Sequence, residues 1–76
     1  MNRIENALQS IRPEFDFNAS TDFIGDGMLD SYDMVMLVAE LDRSFGIRLA
    51  GVDIVPENFR SLATIEQLVR RYQKAS

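Results

Sequence analysis

With 76 residues, 46% of them apolar and 26% charged, the chain has the composition of one small globular domain spanning 1–76, near the lower size limit for a single core without covalent staples. It has no cysteine and no histidine, which excludes disulfides, thiolate chemistry and sulfur-ligated metals and removes the commonest general base and metal ligand. The net charge of −4, from 12 acidic and 8 basic residues, argues against nucleic acid, which needs a basic patch.

The one basic cluster, Arg70, Arg71 and Lys74, suits the negative end of a C-terminal helix. A domain this small, limited to carboxylates, lysine and tyrosine, is not expected to be an enzyme. The opening "MNRIENALQS" lacks the apolar core of a signal peptide, and no 18-residue apolar run exists. The chain therefore reads as cytoplasmic, with no membrane insertion.

The spacing predicts a first helix over Arg3–Arg12. Ile4, Leu8 and Ile11 fall at i, i+4 and i+7, Asn2 with Glu5 resembles a capping box, and Pro13 disfavours helical geometry at Arg12. Residues 13–30 follow as a long connection with glycines, acidic residues and apolar anchors at Phe15, Phe17, Phe23, Ile24, Met28 and Leu29. A connection of that length in so small a domain points to function, and its apolar residues to packing over the core.

A second helix is predicted over Ser31–Phe45, stopped by Gly46. At 100° per residue, Met34, Leu37, Val38, Leu41 and Phe45 share the core face. Tyr32, Asp33, Met36, Glu40 and Arg43 fall opposite, with Val35 and Ala39 at the boundary. That outer face is unusually apolar.

Residues 46–55 read as a loop, and Pro56 suits the first turn of a short third helix through about Arg60. Thr64 with Gln67 resembles a capping box opening the last helix, whose stripe is Ile65, Leu68, Val69 and Tyr72. The expected fold is all-α, a small four-helix bundle with a short third helix and a long loop between the first two.

Three motifs are set aside. "GDGMLD" lacks the third glycine of a dinucleotide fingerprint and the lysine of a P-loop, and no strand precedes it. Read as a calcium loop from Asp22, the chain puts Ile24 at position 3 and Asp33 where a bidentate glutamate belongs. No metal site is expected. Ser31 lies outside a G-x-S-x-G elbow and has no histidine to activate it.

Either Asp30 or Ser31 can cap the second helix, since both residue types are favoured there. The same position stabilises an attached phosphate through unpaired N–H groups and the positive end of the helix dipole.

The stretch "DGMLDSYDMVMLVAELDRSFGIRL" resembles the signature of acyl carrier proteins, the phosphopantetheine-binding four-helix domain. Asp30, Ser31 and Tyr32 match the Asp-Ser and large apolar residue at the start of helix II. The resemblance covers the whole chain. It includes "NAS" at Asn18–Ser20, "FG" at Phe45–Gly46, the short third helix and "TIEQLV" in the last one.

The resemblance implies that Ser31 carries 4′-phosphopantetheine, donated from coenzyme A by a separate Mg²⁺-using phosphopantetheinyl transferase, with Asp30 as flanking recognition residue. The arm's thiol would hold acyl or aminoacyl groups as thioesters for loading and processing enzymes. Those partners would meet a monomer at Tyr32, Asp33, Val35, Met36, Ala39, Glu40 and Arg43. Departures from the pattern are Tyr32 in place of the usual leucine, and Met36 and Arg43 on a face that is strongly acidic in fatty acid carriers. Fatty acyl, polyketide, peptidyl and D-alanyl cargo all stay open. The competing class is a cofactor-free acidic helical module that binds a partner through Tyr32, Val35 and Met36.

Overall fold

The computed structural model describes residues 3–75. The first helix, α1, covers Arg3–Ile11 and buries Ile4, Ala7 and Leu8. It stops one residue short of the expected end. The Arg12 N–H still bonds the Leu8 carbonyl at 2.9 Å, but Pro13 has no N–H to continue the ladder. The expected Asn2–Glu5 capping box lies outside the described residues, and Glu5 accepts a hydrogen bond from Asn18 at 3.1 Å.

The second helix, α2, covers Ser31–Phe45 as expected. It ends at Gly46, whose φ of 66° is the left-handed cap conformation and whose N–H bonds the Asp42 carbonyl. The Asp42 carboxylate then accepts the Leu49 N–H at 3.0 Å, which folds the following chain back along the helix end. Met34, Leu37, Val38 and Leu41 are buried along α2, whereas Phe45 is only part-buried at its end.

The last helix, α3, covers Leu62–Ala75. It begins before Thr64 because Ser61 and Thr64 cap each other. The Thr64 N–H donates to Ser61 Oγ at 3.3 Å and the Ser61 N–H to Thr64 Oγ1 at 3.0 Å. Thr64 is thus the inner partner of the box, not its opening residue.

Three α-helices are found where four were expected, and no strand occurs among the described residues. The segment Pro56–Phe59 is a 3₁₀ turn, as are Phe17–Ala19 and Gly51–Asp53. Pro56 sets the first turn, but Phe59 is drawn fully into the core at its end. The Asn58 N–H therefore closes on the Val55 carbonyl, an i→i+3 bond, at 3.0 Å.

Helices α1 and α2 run antiparallel. Arg12 reaches Asp33 at one end, while at the other Arg3 reaches the Ser44 carbonyl at 3.5 Å and lies 5.7 Å from the Phe45 ring centroid. The first turn of α1, the end of α2 and the face of α3 that carries Glu66, Val69, Arg70 and Gln73 border a common cleft. Phe17 and Phe23, both buried, meet edge-to-face at 5.0 Å and fill the space under the long connection. The Phe23 N–H bonds the Arg60 carbonyl at 2.6 Å, tying that connection to the approach to α3. No helix among the described residues is long and apolar enough to cross a membrane.

Candidate functional site

The connection from α1 delivers Ser31 to the start of α2 through a run of local bonds. Ser20 Oγ accepts the Asp22 N–H at 3.1 Å, and the Asp22 carboxylate accepts the Gly25 N–H at 2.9 Å. A Cβ at position 25 would stand 2.3 Å from a carboxylate oxygen of Asp22, so a larger residue there would have to push the Asp22 side chain aside. Gly27, at φ 74°, reverses the chain so that the N–H groups of Met28 and Leu29 both return to the Phe23 carbonyl, at 2.8 and 3.2 Å. Met28 and Leu29 are buried. Ser31 therefore leaves a segment held in place from both sides.

Asp30 is the N-cap. Its carboxylate accepts the Asp33 N–H at 2.9 Å, and the Asp33 carboxylate accepts the Asp30 N–H at 3.2 Å, a complete capping box. Ser31 is the first helical residue, exposed, and its hydroxyl makes no hydrogen bond among the described residues. Of the two residues able to cap, the structure uses Asp30 and leaves the serine hydroxyl unengaged.

Asp33 corrects the expectation of an outward partner contact. It is only 4% exposed. A helical wheel points it outward, but at the third helical position its side chain folds back over the N-cap and meets Arg12. The Arg12 Nη2 lies 2.9 Å and Nε 3.0 Å from the same Asp33 oxygen. The guanidinium also stands 3.2 Å from Glu14 and 3.9 Å from Asp30.

Burial alone would raise the Asp33 pKa. The hydrogen bond from Arg12, the bond from the Asp30 backbone and the attraction of the guanidinium outweigh it, and the carboxyl is held below its ordinary value. Arg12 is correspondingly held above its own ordinary value, first by the hydrogen bond to Asp33 and then by that to Glu14. Nothing in the sequence periodicity singles out Arg12. The available signal is a cation beside a helix-stopping proline, with two aspartates three residues apart at the next helix start.

The other expected partner residues do share the outer side of α2. Tyr32 is 72% exposed and Val35 61%, and Met36 and Ala39 are also exposed. Glu40 is half-buried and pairs with Arg43 at 2.6 Å, so the positive charge expected of Arg43 is locally balanced. Val52, in the turn Gly51–Asp53, is 84% exposed and has no periodic signal to mark it.

Arg70, of the C-terminal cations, pairs with Glu66 at 2.7 Å one turn back, in keeping with a structural role. Comparison with known proteins finds no matching family model, no matching curated protein and no matching solved structure. A functional reading therefore rests on these residues.

Proposed function

We propose that this chain is a carrier domain that bears 4′-phosphopantetheine on Ser31. The observation that carries the proposal is the division of labour at the start of α2. Asp30 caps the helix, so the adjacent serine, a residue type that ordinarily serves as a cap, has an exposed and unengaged hydroxyl.

The residues fit the group. A phosphodiester on Ser31 Oγ would lie at the positive end of a 15-residue helix, where unpaired N–H groups and the dipole favour negative charge. Attachment forms the Oγ–phosphorus bond and breaks the bond between that phosphorus and the 3′,5′-ADP half of coenzyme A, and the serine proton leaves with the transferase's base. The bound arm supplies a thiol, which the chain lacks, and with it thioester chemistry. The chain's own residues hold the serine, present it and offer an outer helix face to partner enzymes, and they perform no catalysis.

The exposed strip of Tyr32, Val35, Met36 and Ala39 favours partners with apolar patches. This strip also supports a second reading, a cofactor-free interaction module. Intact mass after incubation with coenzyme A, Mg²⁺ and a broad-specificity phosphopantetheinyl transferase separates the two. One added arm supports the carrier, and an unchanged mass supports the module.

A further inference from the structure

Arg12 is the only cation that reaches the start of α2 among the described ion pairs, and it arrives from a different element. It is anchored by its own backbone bond to Leu8 at the end of α1. From there the guanidinium makes two contacts with the buried Asp33 carboxylate and lies 3.9 Å from the exposed Asp30 carboxylate. Those two carboxylates are the reciprocal halves of the capping box that encloses Ser31. The chain of contact therefore runs from α1 through Arg12 to Asp33, and from Asp33 to the Asp30 N–H, one residue before the serine.

We infer that Arg12 is a positioning residue for the modification of Ser31, acting through Asp33 to hold the first turn of α2 and the serine hydroxyl in one orientation; this rests on the carrier reading above. Without the guanidinium, Asp33 would be a buried carboxylate whose one remaining hydrogen-bond donor among the described residues is the Asp30 N–H. An unpaired buried charge is strongly unfavourable, so the side chain turns out to water or takes up a proton. Turning out withdraws the acceptor from the Asp30 N–H, while protonation leaves only a neutral, weaker acceptor and adds an O–H that needs a partner of its own, and both loosen the box. The serine then samples several orientations, and a displacement of about 1 Å in a reacting group is enough to slow a transfer step up to ~100-fold.

The charge consequence runs the other way. Removing Arg12 makes the region around Ser31 more negative, so a basic transferase surface meets at least as much attraction as before. A residue touched by the transferase would raise KM when removed. A residue that only orients the serine lowers kcat and leaves KM for the carrier unraised. Arg12 and Asp33 also belong to one network, so their substitutions should not be additive.

The test compares arm transfer to the wild-type chain, Arg12→Met, Arg12→Lys and the double variant Arg12→Met/Asp33→Asn, each checked for its helical signal. Expected for Arg12→Met is a kcat at least ~5-fold lower with KM for the carrier unchanged or lower. Arg12→Lys should recover part of the loss. The double variant should recover most of it, because a neutral side-chain amide at position 33 can still accept from the Asp30 N–H and leaves no unpaired charge. Amide exchange should show the Asp33 and Met34 N–H groups less protected in Arg12→Met than in wild type. If Arg12→Met does not fold, the Arg12→Lys and double variants carry the same comparison. A folded Arg12→Met modified at the wild-type kcat, or one whose KM alone rises, overturns the positioning role while leaving the carrier reading intact. A wild-type chain that takes no arm overturns the carrier reading, and the positioning role with it.

Discussion

One Asp33 carboxylate oxygen takes both Arg12 Nη2 and Arg12 Nε, at 2.9 and 3.0 Å, and so ties the end of α1 to the first turn of α2. Because the Asp33 pKa is lowered by this contact and by the capping bonds, the linkage has a definite sign. The stabilisation is present above the unfolded-state value of about 3.9 and is lost as pH falls through the lower folded-state value. Thermal melts from pH 6 downward should show wild-type stability falling more steeply than that of Asp33→Asn in the acid range. Parallel curves would mean that Asp33 does not couple the two helices.

Asp30 and Ser31 should separate cleanly by substitution. Asp30→Ala removes the N-cap and should cost about 0.5–2 kcal/mol. Ser31→Ala removes an exposed hydroxyl with no hydrogen bond among the described residues and should stay within about 0.5 kcal/mol. Urea denaturation of both variants checks the order. A larger loss at Ser31 would make the serine, not the aspartate, the residue that holds the helix.

The two faces of α2 should differ sharply. Leu37 and Leu41 are fully buried, and Leu37→Ala or Leu41→Ala should each cost about 2–5 kcal/mol, a large share of the stability of a domain this size. Val35→Ala, at a position 61% exposed, should be nearly neutral. Equal losses at Val35 and Leu37 in denaturant melts would invert the assignment of faces.

If Ser31 bears the proposed arm, cargo selection should follow the apolar strip. Resemblance to fatty acid carriers implies basic partners that dock on an acidic helix II, whereas Tyr32, Val35 and Met36 expose apolar surface there. The wild-type holo form is expected to be a poor substrate for a fatty acid synthase malonyl transferase, and Met36→Glu to improve it. Arg43→Glu should add to the effect of Met36→Glu, because it replaces the cation by a carboxylate and leaves Glu40, now paired with Arg43 at 2.6 Å, without its partner. Malonyl-loading rates test this, and efficient loading of wild type would contradict selection by the apolar strip.

Much of the architecture is legible in the residues. The bounds of α2 follow from the Asp30 and Gly46 signals at its ends, and its core face from the spacing of Met34, Leu37, Val38 and Leu41. Asp33 is not legible this way. Angular spacing describes a side chain's direction from the helix axis, but a residue at the third helical position bends back over its cap. Arg12 escapes for a related reason, since its role depends on where α1 ends relative to α2, which periodicity does not encode. The turn at Pro56–Phe59 escapes because proline marks the start of a helical turn without setting its pitch. Ser31 stands out as a candidate from the residues alone, but the choice between Ser31 and Asp30 as cap needs the geometry of the box.

The measurement that bears most directly on Ser31 is fragment-level mass analysis of the wild-type chain and Ser31→Ala after equal exposure to coenzyme A, Mg²⁺ and a broad-specificity phosphopantetheinyl transferase. The wild type should gain one arm, localised to Ser31, and Ser31→Ala should gain none while keeping its helical signal. An unmodified wild type, or an arm that persists in Ser31→Ala, would contradict the carrier function.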